Sequence, residues 1–151
     1  MNSKIKTLQI IHLSMILGQV FFALIAFFLN KDRAASATEE NQLFLYIVPL
    51  VAVIGVIAGS FLFRKRMAVL SPTASPAEKH ALYQGACIMR YAFLQGPSLF
   101  AIAIYLMTGN LVFLLFSGLL ILYLIYLRPS DKTIAEALGL TAGEIAEDSA
   151  G

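Results

Sequence analysis

Four long apolar segments dominate this chain and restrict it to one kind of environment. They cover residues 5–29, 43–63, 85–107 and 111–127, and nearly all charged residues lie in the gaps between them. Each has about the 17–25 residues that a helix rising about 1.5 Å per residue needs to cross a hydrocarbon core about 30 Å thick. The sequence therefore predicts an all-α integral membrane four-helix bundle, built from two antiparallel helical hairpins.

The composition agrees with a chain whose solvent is mostly lipid. Only 13% of the 151 residues are charged, against roughly 25% in soluble domains. We expect residues 1–128 to form one membrane domain and residues 129–151 to form a cytoplasmic tail with short amphipathic helices. The first apolar run exceeds the roughly 7–15 residues of a signal peptide, so we expect it to be retained as the first span.

The basic residues predict the orientation. Eight Lys and Arg residues lie in the N-terminal segment, the second connection and the C-terminal segment, whereas the first connection has two and the third has none. Such residues concentrate on the cytoplasmic side of a membrane. We therefore expect both termini in the cytoplasm, in what is most simply a bacterial cell inner membrane.

A small polar set in the first and third segments is the best candidate for a binding site. His12 and Gln19 are seven residues apart and share one helix face, while Arg90 and Gln95 lie in the third segment. We expect them to line a hydrated pocket in which Arg90 binds an anionic ligand or lipid headgroup and His12 senses or moves a proton. The plainer alternative is that Arg90 snorkels and the others hydrogen-bond between helices.

Two small-residue patterns bear on helix packing. Gly96-Pro97 predicts a break in the third helix near mid-membrane, because proline removes a backbone hydrogen bond. Gly55 and Gly59 on the second helix form a small-xxx-small pair, which lets another backbone approach closely. That partner is either a helix of the same bundle or a second copy of the chain.

The first and third segments also show a weak similarity. Aligning them at an offset of 78 residues pairs Gly18 with Gly96, as a weak internal duplication would.

The connections carry their own signals. Arg64, Lys65 and Arg66 follow the second span and are expected to contact anionic headgroups, although topology determination explains them equally well. Ser75-Pro76-Ala77-Glu78 is a capping box that predicts the start of the third helix. In the tail, Ile134, Leu138 and Ile145 are expected on the membrane surface or under the bundle.

Several classes of function are disfavoured. Every Asp and Glu lies outside the four spans, which argues against carboxylate-driven proton or sodium transport. His80 is too far from His12 to share a haem, and Cys87 has no second thiol, so neither cofactor nor metal is expected. The tail superficially resembles a helix-turn-helix, but it is acidic where phosphate-binding cations are needed, so no nucleic-acid partner is expected.

With no catalytic motif, the sequence favours a protein that acts by binding, in an accessory, assembly or lipid-contacting role. Its expected partners are membrane lipids, a second copy of itself or another membrane protein. One alternative is an oligomeric transporter or channel for an anionic solute that uses Arg90 and His12. The other is a lipid-modifying membrane enzyme with His12 as base, which lacks an acid or nucleophile to pair with it.

Overall fold

The computed structural model describes residues 3–32 and 39–139, and this part of the chain is all-helical. Its helices are α1 (Ser3–Asn30), α2 (Glu39–Ala68), α3 (Pro76–Thr108), α4 (Leu111–Tyr126) and α5 (Asp131–Leu138). Three are long and apolar enough to cross a membrane: α1 from Ile5, α2 from Gln42 and the whole of α3. The 16 residues of α4 are also apolar but rise only about 24 Å.

Helix α3 lies at the centre of the described fold and packs against α2, α4 and α1. Over the described residues α1 and α2 hardly touch each other. In the described part of the chain, α1 and α2 each pack on α3, and the predicted arrangement as two helical hairpins stays a prediction. A duplicated hairpin would give α1 with α2 the same packing as α3 with α4, so this arrangement does not support an internal duplication.

Local signals set both ends of α3. The predicted capping box is present: the Glu78 N–H donates to the Ser75 hydroxyl at 3.3 Å, and the Glu78 carboxylate accepts from the Ser75 N–H at 2.9 Å. At the other end Gly109 has a φ of 69°, in the left-handed region that favours glycine. The Asn110 side chain then accepts from the Val112 N–H at 3.0 Å and starts α4.

The surface of the helices is apolar, while the interior holds polar side chains. On α1 the buried residues include His12, Gln19 and Asn30. Large apolar side chains face outward instead, among them Ile10, Leu17, Phe21 and Phe28 of α1, Leu50, Ile57 and Phe61 of α2, and Leu115 and Leu122 of α4. This distribution suits helices surrounded by lipid.

The two ends of the molecule differ in charge. At one end, here called the basic end, α1 and α3 begin and α2 and α4 finish. Helix α5 folds back at this end, where the buried side chains of Ile134 and Leu138 join the cluster that contains Ile5 and Leu8. The tail was predicted to lie either on the membrane surface or under the bundle. Ile134 and Leu138 lie under the bundle. Ile145 lies outside the described residues.

Candidate functional site

Three polar side chains supply hydrogen bonds at the basic end, where α4 stops. The Leu124 carbonyl already accepts from the Leu127 N–H at 3.1 Å, and a carbonyl oxygen has a second lone pair with which it can accept a further bond. The bonds run from His12 Nε2 to the Leu124 carbonyl (2.8 Å), from Gln9 Nε2 to the Pro129 carbonyl (3.1 Å) and from the Tyr91 hydroxyl to the Leu127 carbonyl (3.3 Å). These bonds hold α1 and α3 against the end of α4.

The His12 ring is enclosed by this arrangement. It is 3% exposed, and its centroid lies 4.8 Å from that of Tyr91. Because a carbonyl oxygen can only accept, His12 Nε2 must carry the proton in the bond to Leu124. The structure therefore gives His12 a place as a hydrogen-bond donor to the backbone.

Arg90 lies in a different environment, facing α2 and α4. Its Nη2 donates to the Tyr123 hydroxyl at 3.1 Å and to the Ser60 hydroxyl at 3.5 Å. The guanidinium carbon also lies 5.2 Å from the centre of the Phe63 ring, a cation–π distance. Its Nε is buried without a hydrogen-bond partner among the described residues. Every described contact of this half-buried cation is therefore neutral.

An apolar groove begins beside Arg90 and runs between α2 and α4. It has a volume of about 320 Å³ and is lined by Pro49, Ala52, Val56, Phe116, Leu119 and Tyr123, among others. Tyr123 belongs to both features, since its hydroxyl bonds to Arg90 and its ring lines the groove. Tyr123 therefore connects the guanidinium to the groove.

The four residues predicted to line one pocket have different described surroundings. His12 bonds to Leu124 and lines the cleft between α1 and α4, whereas Arg90 bonds to Ser60 and Tyr123. Gln19 is 1% exposed, and neither atom of its amide has a partner among the described residues. Gln95 is half-buried on α3. A common pocket for these residues and anion binding at Arg90 stay predictions.

The predicted break at Gly96-Pro97 is absent, because α3 is continuous from Pro76 to Thr108. Because Pro97 has no N–H, the Phe93 carbonyl lacks its usual backbone donor. Gly55 of α2 packs against Phe93 and Pro97. A Cβ on Gly55 would lie 2.5 Å from the Phe93 oxygen and 2.6 Å from Pro97 Cγ. The close approach of α2 therefore covers the freed carbonyl.

Gly59 extends the same contact by one turn. A Cβ there would lie 3.1 Å from Phe93 Cβ and 3.2 Å from the Arg90 carbonyl oxygen. Both glycines of the small-xxx-small pair are buried and face α3 of the same chain. The structure thus places this pair in a contact inside the molecule.

The basic end also carries exposed cations, two of which line a cleft. Arg64, Lys65 and Arg66 are exposed, as are Lys6 and Arg128. The last two line a cleft of about 580 Å³ between α1 and α4, together with Gln9, His12, Leu13 and Ile16. Sequence reasoning missed this cleft. Two features of the sequence could have indicated the cleft. Lys6 lies about one helical turn before Gln9 on α1, and Arg128 lies two residues after the end of α4.

Metal-binding chemistry is not suggested by the described side chains, where no three His, Cys, Asp or Glu residues are grouped to hold an ion. Cys87 is a buried free thiol.

We found no match to this chain among protein families, curated proteins or solved structures.

Proposed function

We propose that this chain is a four-span protein of the bacterial inner membrane, with both termini in the cytoplasm, that acts by binding an anionic lipid of the cytoplasmic leaflet. The basic end supports the orientation, since exposed Arg64, Lys65, Arg66 and Arg128 lie there. Helix α4 is the short member of the bundle. Local thinning of the bilayer accommodates such a span at a modest cost.

The observation that carries this proposal is the neutral surroundings of Arg90. Taking a cation out of water is costly unless an anion or a full set of hydrogen bonds compensates it. The described contacts of Arg90 supply two hydroxyl groups and an aromatic face, and its Nε has no partner. A lipid phosphate is the matching counter-ion, because a guanidinium binds phosphate oxygens in a bidentate way.

The groove between α2 and α4 supports a lipid over a free anion. Its lining is almost entirely apolar and runs from Tyr123, beside Arg90, to Pro49, which lies early in α2 and hence towards the opposite end. A headgroup at Arg90 would direct an acyl chain along this groove towards the bilayer centre. That is the direction of a lipid in the leaflet at the basic end.

Native mass spectrometry of the full-length protein tests the proposal. The protein is titrated with dioleoyl phosphatidylglycerol, and dioleoyl phosphatidylethanolamine serves as the zwitterionic reference. We expect Arg90→Met, which keeps the side-chain bulk, to lose one retained phosphatidylglycerol, and Arg90→Lys to keep it. Lys132→Met is the matched control, because it removes an exposed cation from the same end. Equal retention by Arg90→Met and wild type would refute the proposal.

The two alternative functions have less support. An anion transporter that uses both Arg90 and His12 requires them to face one path, whereas their hydrogen-bond partners differ. A lipid-modifying enzyme requires His12 to act as a base through Nδ1, since Nε2 donates to a backbone carbonyl, and it also requires an acid or nucleophile that the sequence does not offer beside it. Binding is also compatible with an accessory role, in which exposed Arg64, Lys65 and Arg66 meet headgroups or a partner protein.

A further inference from the structure

The cleft between α1 and α4 at the basic end has the features of a second binding site. Two exposed cations, Lys6 and Arg128, are among its lining residues. Gln9 and His12 form its polar floor. Their bonds to Pro129 and Leu124 fix the end of α4 against α1, so the shape of the cleft is held by hydrogen bonds.

Below the rim the cleft becomes apolar. Its remaining lining consists of Ile10, Leu13 and Ile16 of α1 and Ile125 of α4. From Lys6 to Ile16 the helix rises about 15 Å, which is about half the thickness of the hydrocarbon core. The cleft therefore changes from cationic to apolar over the depth of one leaflet.

We propose that this cleft is a site for the phosphate headgroup of an anionic phospholipid, independent of the site at Arg90. The occupant follows from charge complementarity: Lys6 and Arg128 neutralise one phosphate, and an acyl chain lies along Leu13 and Ile16. Helix α4 separates the two sites, since Tyr123 faces Arg90 while Leu124 and Ile125 face α1 and this cleft. Two lipids would thus flank α4 in the same leaflet.

Counting retained lipids tests this inference and separates it from the Arg90 proposal. Wild-type protein titrated with dioleoyl phosphatidylglycerol is expected to retain two molecules by native mass spectrometry. The double variant Lys6→Ala/Arg128→Ala should lose one, with its apparent Kd raised roughly thirtyfold. The matched control Lys31→Ala/Lys132→Ala removes the same charge from exposed positions outside the cleft and should retain both.

Two further variants keep the outcome decisive. Leu13→Trp leaves both cations in place but fills the apolar wall, so it should also lose one lipid. Combining Arg90→Met with Lys6→Ala/Arg128→Ala should remove both lipids, whereas Arg90→Met alone should remove one. Equal retention by the cleft variants and the control would overturn this inference and leave the Arg90 site standing. Binding of inorganic phosphate at the cleft without lipid retention would overturn it as well.

Discussion

The buried polar residues of α1 act mainly on the backbone of other helices. His12 donates to the Leu124 carbonyl at the basic end. At the opposite end the Asn30 amide donates to the carbonyls of Tyr105 (2.8 Å) and Leu106 (3.0 Å), in the last turn of α3. The Leu124 and Tyr105 carbonyls also accept from the Leu127 and Gly109 N–H groups, so the α1 side chains use their second lone pairs. Polar side chains on the inward face of α1 thus bond to the ends of two other helices.

Gln19 is the exception on this face, and it gives a prediction about stability. Because neither amide atom has a described partner, replacing the amide by an apolar group removes a desolvation penalty of about 1–3 kcal/mol. We expect Gln19→Leu to raise the free energy of unfolding by up to this amount. The measurement is the unfolding midpoint of the purified protein in detergent.

Gln9→Leu is the matched control for this prediction. The Gln9 amide donates to the Pro129 carbonyl, so its loss should lower stability while the change in side-chain chemistry is the same. A loss of stability in Gln19→Leu comparable to that in Gln9→Leu would show that the buried amide has a partner after all, and would return Gln19 to the candidate site.

At the scale of elements, the contact of α2 with α3 depends on the absence of a side chain at one position. A Cβ on Gly55 would overlap the Phe93 carbonyl, which is backbone and cannot rotate away. Overpacking of this kind costs about 1–3 kcal/mol. We expect Gly55→Ala to lower the free energy of unfolding by that order, measured as the shift in denaturation midpoint.

The control for Gly55 lies on another helix of the same chain. A Cβ on Gly118 of α4 would meet nothing within 4 Å. There the gain in helix propensity, about 1 kcal/mol for glycine to alanine, should leave Gly118→Ala as stable as wild type or more so. Equal effects of the two substitutions would contradict the close packing of α2 on α3.

The helices themselves were largely predictable from local sequence, whereas their rotation about their axes was not. The capping box at Ser75 marked the start of α3. Nothing local indicated that His12 would face the end of α4 while Arg90 would face α2. That outcome depends on how all the helices pack together, which local sequence does not encode. The same holds for Pro97, which lies inside a continuous α3 and against Gly55 of α2.

For the whole molecule, the orientation can be tested by labelling single cysteines in intact cells. In a Cys87→Ala background, Val69→Cys, Lys132→Cys and Leu111→Cys each introduce a thiol at an exposed position. With both termini in the cytoplasm, a membrane-impermeant maleimide added outside should label Leu111→Cys only. The other two should react after permeabilisation. Labelling of Lys132→Cys in intact cells would reverse the proposed orientation.

The central position of α3 also has a consequence for biosynthesis. Because α1 and α2 hardly touch, a growing chain that has released only these two helices gives neither of them its native partner. His12, Gln19 and Asn30 then face lipid or the insertion machinery until α3 and α4 emerge. At about 5–20 residues per second, the wait from Asn30 to Tyr126 is on the order of 5–20 s. During this interval the nascent chain depends on the cell to shield the polar face of its first helix.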